Sequence, residues 1–163
     1  MTRSGRAIGM RPHNSRRTPA RGVLRVAHQP TIVLVTVCTK NRSPWLATPQ
    51  VHKTLTGIWK EATAWRAGRY VLMPDHLHLF CAPGSPSAAI EAWVQYWKSR
   101  FSRLHGVPEH RWQTGVFHHR LRHEERYLEK WRYVRDNPVR RRLVADADEW
   151  PYQGRVYDLQ WCS

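Results

Sequence analysis

His76 and His78, in the run VLMPDHLHLFCAP, stand two residues apart. On a β-strand that spacing projects both imidazoles from one face, where they can share one divalent cation. Downstream, in YVRDNPVR, Tyr133 and Asn137 are four residues apart, which on a helix sets a phenol and a carboxamide one turn apart on one face. An imidazole pair, a helical tyrosine and a strongly basic chain together point to metal-assisted attack of a phenolate on a nucleic-acid phosphate. A free phenol ionises near pH ~10, so such a nucleophile needs a metal or neighbouring cations to stabilise the developing phenolate. The larger service of the metal would be as a Lewis acid on the phosphate.

The elements that must position these groups can be read from periodicity. TIVLVTVCT, from Thr31 to Thr39, is β-branched and apolar almost throughout, as a buried central strand should be. Val51, Leu55, Ile58, Ala62 and Trp65 recur at a helical period and predict a helix over 51–67 that stops at Gly68. Arg69 to Met73 reads as a second strand, Pro74-Asp75 as a bend, and His76 to Ala82 as a third strand running back. In that strand His76, His78 and Phe80 share one face, and Leu77, Leu79 and Cys81 share the core face. A second helix is expected from about Ala88 to Leu104, a fourth strand over 115–122, and a third helix from Glu124 to about Asp136, where Pro138 discourages helical geometry in the residue before it.

On that third helix Tyr127, Leu128, Trp131 and Val134 form the apolar stripe, and Tyr133 lies away from it among Arg126, Glu129, Lys130 and Asn137. The order strand, helix, strand, strand, helix, strand, helix is α+β: a ferredoxin-like or RNA-recognition-like antiparallel sheet of about four strands with helices packed mainly on one face. The chain divides into a basic, disordered arm over 1–28, a single domain over 29–144, and an irregular C-terminal extension over 145–163.

The 163 residues hold 27 Lys plus Arg against 12 Asp plus Glu, a formal charge of +15. Such an excess repels itself in a compact fold unless a polyanion is the usual partner, and nucleic acid is the economical choice. Arg120, Arg122, Arg126, Arg132, Arg135, Arg140, Arg141 and Arg142 make the last strand and helix the densest basic region outside the arm. Lys98, Arg100 and Arg103 add a second candidate row of phosphate contacts. Glu124, Glu125, Glu129 and Asp136 offer near-neighbour partners for about half of the first group. Cys38, Cys81 and Cys162 are odd in number and lack a C-x-x-C spacing, which speaks against a disulfide framework or a cysteine zinc site and for a reducing cytoplasm. No apolar run approaches the length of a membrane helix.

With these residues in place a resemblance emerges. MPDHLHLF resembles the histidine-hydrophobic-histidine signature of HUH endonucleases, and YVRDNPVRRRLV resembles the nucleophile helix of REP-associated tyrosine transposases, within the single-tyrosine, IS200-like transposase superfamily. VTVCTKNRSPWLA is similar to the first strand and loop of that family, WVQYWKSRFSRL to its second helix, and WQTGVFHHRLRHEERYLEKWRYVRDNP to its last strand and helix. The likeness runs in order over roughly 31–150. It implies cleavage and rejoining of single-stranded DNA beside a hairpin through a 5′-phosphotyrosine, with Tyr133 as nucleophile.

The resemblance also implies that His76, His78 and Asn137 hold Mg²⁺ or Mn²⁺. His118 and His119 are rivals for the third ligand, though adjacent residues on a strand point oppositely and only one could face the site. A free 3′-OH can reverse the step, so strand transfer needs no ATP, and either a monomer or a homodimer is compatible. Arg141-Arg142 and the arginine-rich arm depart from the family pattern, which bears on DNA specificity and not on the reaction type. Two other functions share these features: a domesticated, non-catalytic nucleic-acid-binding module, and a rolling-circle replication initiator, which ordinarily carries a further domain.

Overall fold

A computed structural model describes residues 31–159 apart from residue 86; the basic stretch 1–28 and Cys162 lie outside the described residues. Its elements run β1 (Ile32–Cys38), α1 (Pro49–Glu61), β2 (Trp65–Leu72), β3 (His76–Pro83), α2 (Ile90–His105), β4 (Phe117–Leu121), α3 (Glu124–Arg135), the single turn α4 (Asn137–Arg140) and β5 (Gln153–Arg155). The strands form one antiparallel sheet in the order β4-β1-β3-β2-β5. The α+β class and the sheet built from antiparallel neighbours are as expected.

Alternation along β1 and β3 splits the core in two. Val33, Val35 and Val37 on β1 and Leu77, Leu79 and Cys81 on β3 face α1 and α2, where Leu55, Trp59, Trp93, Trp97 and Phe101 are almost fully buried. Removing each of these side chains from water contributes about 1.5–3 kcal/mol, so the two helices are firmly seated. The opposite face carries Ile32, Val71 and Phe80, which pack with Leu121, with Tyr127 and Val134 of α3, and with Trp150 of the tail. Two helices therefore share one face, while α3 and the tail cover the apolar end of the other. Leu128, expected in the α3 stripe, is 40% exposed, and the buried contacts of the helix fall to Tyr127 and Val134 with Trp131 partly covered.

Four expectations are corrected. The helix expected over 51–67 ends at Glu61, because Ala62 leaves helical geometry at φ −82°, ψ 70°. Trp65 fits the helical period but belongs to β2, its buried indole donating to the Ala88 carbonyl at 3.0 Å. Gly68 is not a helix stop: it sits in a β2 bulge, where a Cβ would stand 2.5 Å from the Leu159 side chain. Finally, the sheet gains a fifth strand from the tail. Asp146 caps a 3-10 turn over Ala147–Glu149, and β5 then pairs with the outer edge of β2, covering an otherwise open edge. Among the described residues no helix is long and apolar enough to cross a membrane.

Candidate active site

The histidine face of β3 is apolar at one end and polar at the other. Phe80 is covered by Tyr127 and Trp131, at ring-centroid distances of 5.1 and 6.0 Å. His78 and His76 lie beyond that cover, their rings 4.9 Å apart and nearly perpendicular. Strand register pairs His78 with Thr36 and His76 with Cys38 on β1. The Thr36 hydroxyl lies 3.0 Å from His78 Nδ1, and Asp75 Oδ1 lies 2.7 Å from His76 Nδ1. With both Nδ1 atoms protonated to donate to these oxygens, the two Nε2 lone pairs point to the same side, the arrangement in which neighbouring groups orient metal-binding imidazoles.

Asn137 closes the triangle. Its amide nitrogen lies 3.4 Å from His76 Nε2 and 3.2 Å from His78 Nε2. A half-turn about the terminal bond would present the carboxamide oxygen instead, so two imidazole nitrogens and one amide oxygen can converge on one point. That donor set suits a divalent cation that accepts N and O ligands and retains water. Of the rival third ligands, His118 is paired across from Val35, faces α2, and meets Glu91 Oε1 at 2.9 Å. His119 shares the face of the pair but is opposite Leu34 and exposed, two positions along from Thr36.

The electrostatics keep the pair neutral. Burial lowers the pKa of His76 against the hydrogen bond and charge of Asp75, which raise it. For His78, burial first, then the repulsion it would meet from a protonated His76 and from Arg140 and Arg42, brings the pKa down to about 3. Burial pushes Asp75 up, but its hydrogen bond to His76 and the charges of His76, Arg42 and Arg141 outweigh this and leave its pKa lowered. A buried, neutral imidazole is the form that binds a metal.

Tyr133 and Asn137 are not on one unbroken helix. α3 ends at Arg135, Asp136 flattens to ψ −2°, and α4 begins at Asn137 with Pro138 in its first turn, where the missing N–H costs nothing. Tyr133 is 61% exposed, and the Arg140 guanidinium lies over its ring at 3.9 Å. The hydroxyl makes no hydrogen bond among the described residues.

The predicted phosphate contacts separate into groups. Arg140 and Arg141 lie at the site, Arg141 lining a cleft with Arg42 and Asp75. Arg122, Arg132 and Arg142 are exposed, and Arg120 is half-buried. Arg126 pairs with Glu129 at 3.3 Å, and Arg135 pairs with Asp148 of the tail. The α2 row differs from expectation at Lys98. Lys98 is 5% exposed and donates its ammonium to the Gln113 and Gly115 carbonyls, so it serves the fold and not phosphate. Arg100 pairs with Glu61 on α1, and Arg103 lines a cleft at the end of α2, both on the helix that packs against the face opposite the histidines. Sequence reasoning missed Asp75, Thr36 and Arg42, whose Nε meets Asp75 Oδ2 at 2.9 Å. A polar residue in an apolar strand and an acid directly before a histidine were the available signals.

The chain is similar to the REP-associated tyrosine transposase of Escherichia coli (strain K12), 26% identical over 143 residues, covering 78% of this chain and 82% of the relative. No family model matches it. Its fold resembles a solved structure of a REP-associated tyrosine transposase bound to a REP hairpin, with a TM-score of 0.68 and 20% identity over 87% of this chain and 91% of that one. The motif resemblance thus extends along most of the chain in sequence and in fold.

Proposed function

We propose that this protein is a metal-dependent single-strand DNA endonuclease and strand transferase that uses Tyr133 as its nucleophile at hairpin-associated sites. The observation that carries the reading is the convergence of His76 Nε2, His78 Nε2 and the Asn137 carboxamide within 3.4 Å, just after the helix end that bears an exposed tyrosine. The comparisons support the substrate class, since a solved structure with a similar fold is bound to a REP hairpin and the similar Escherichia coli protein is a REP-associated tyrosine transposase.

A bound Mg²⁺ or Mn²⁺ would act as a Lewis acid on the scissile phosphate. The tyrosine oxygen would attack phosphorus in line, forming a 5′-phosphotyrosine bond as the bond to the 3′ oxygen breaks. The leaving 3′ oxygen takes up a proton from solvent as the phenol gives one up. Arg140, held on the ring of Tyr133, orients the nucleophile and brings a guanidinium beside the phosphate under attack. Asp75 and Thr36 hold the imidazoles by their Nδ1 atoms, so the Nε2 pair needs no reorganisation when the substrate arrives. Because the phosphotyrosyl bond keeps the energy of the phosphodiester, attack by a second 3′-OH rejoins DNA.

The test is incubation with labelled hairpin single strands and Mn²⁺, followed by denaturing electrophoresis. A denaturant-stable protein–DNA adduct is expected. Tyr133→Phe should abolish it while leaving DNA affinity within about threefold, since one hydroxyl contributes little to the phosphate contacts that dominate affinity. Undiminished adduct from that variant would overturn the assignment.

A further inference from the structure

Beside the site runs an open groove of about 750 Å³, a size that admits an extended ligand. One wall is the turn that follows β1, with Lys40 and Arg42; the other is the segment from Arg111 to Thr114 that leads into β4. The walls are stitched together by backbone. Lys40 N donates to the Arg111 carbonyl at 2.8 Å and Gln113 N to the Cys38 carbonyl at 2.9 Å. Buried Lys98 fixes the second wall from beneath through the Gln113 and Gly115 carbonyls. The groove is therefore preformed.

Its chemistry is one-signed. Lys40, Arg42 and Arg111 line it, and no acid does so among the described residues. In the first wall Asn41 and Arg42 are consecutive left-handed residues, at φ 56° and 55°. An arginine in that conformation is strained, and such strain persists where the surroundings hold a residue in place for use. Arg42 spans groove and site, lining the one and bonding Asp75, the partner of His76.

At the other end, Gly115 turns the chain with φ 81° into β4. The register places Phe117 opposite Thr36, which is itself opposite His78, so the three share one face. Phe117 is 66% exposed there, an aromatic left uncovered between a cationic groove and a histidine pair.

Resting on the reading above, we propose that this groove binds the unpaired strand next to the scissile phosphate. Lys40, Arg42 and Arg111 would take its phosphates, and Phe117 would stack on a base as the strand reaches the histidines. A cationic track joined to an exposed aromatic ring is the pattern by which proteins hold single strands without reading a duplex.

The experiment uses the full chain with a chelator, so that no cleavage intervenes, and two DNA probes: a hairpin with an unpaired tail and the same hairpin cut flush. Lys40→Gln/Arg111→Gln should weaken the tailed probe about tenfold and lower its salt slope by about 1.4, two contacts at about 0.7 each. Phe117→Ala should weaken it about fivefold or more, and Phe117→Trp should restore it. The flush hairpin should stay within about twofold in every variant, and an unchanged thermal transition shows that each variant is folded. Equal weakening of both probes, or of neither, overturns the proposal. A tail-specific loss with no adduct on any probe in Mn²⁺ would sink the cleavage reading and leave the groove standing.

Discussion

Asp75 reaches the proposed metal only through His76, yet its single side chain ties the histidine pair to the arginine of the groove. One carboxylate oxygen accepts from His76 Nδ1 at 2.7 Å and the other from Arg42 Nε at 2.9 Å. Asp75→Asn keeps an acceptor for the imidazole but loses the charge that orients it. Mn²⁺ affinity, measured by calorimetric titration, should fall about 10–100-fold with the fold intact; unchanged affinity would remove Asp75 from the site. The neutral histidines predict a pH effect in metal-free protein. His78 has a folded pKa lowered to about 3, while the unfolded chain takes up the proton near 6.5. The unfolded state then binds more protons as pH falls below 6.5, so stability is present above that pH and is lost on the way down. Denaturant titrations between pH ~7 and ~5 should show up to about 1.4 kcal/mol lost per pH unit on account of this residue. His78→Gln should flatten that slope, and an equal slope in the variant would mean that the ring is protonated in the fold.

At the scale of elements, the end of α3 that bears Tyr133 has its seat on the second core. Val134, 1% exposed, and Tyr127 pack beside Trp150, whose indole donates to the Leu72 carbonyl at 2.9 Å. Trp150→Ala should cost about 3–5 kcal/mol by thermal or denaturant unfolding. Adduct formation should fall even where the protein is still folded, since the helix bearing Tyr133 loses its floor. Leu128→Ala on the same helix should cost under about 1 kcal/mol, the side chain being half in water; a reversed order would mean that α3 is seated otherwise.

What could be read in advance follows the range of the interactions. β1 and the face of His76 and His78 were legible because alternation is local. The Thr36 partner of His78 requires a register between distant strands. β5, three residues long, is specified by the open edge of β2 and hardly by its own composition. Trp65 obeys a helical period and a strand pattern alike, and only its place against Ala88 decides. Lys98 reads as a surface cation because charge conceals the aliphatic stem that lets it lie buried.

For the whole molecule, function separates by face and by charge. One side of the sheet is closed by α1 and α2; the other is half core and half candidate site, so the proposed function assigns DNA to the uncovered end of β1, β3 and β4 with the turns beside it. The seven arginines of residues 1–25, a stretch with no acid, stand apart from this division. If each meets a phosphate through charge alone, deleting residues 1–25 should lower the slope of log K against log salt by up to roughly 5, at about 0.7 per single-strand contact. Hairpin preference should survive, because discrimination by shape or base requires groups held at fixed positions, which the folded sheet and its turns supply. Binding competitions between hairpin and unstructured strands, with the full and shortened chains at matched salt, measure both quantities. If the shortened chain binds the two strands equally, the arginine stretch reads the hairpin, and recognition is not confined to the sheet face.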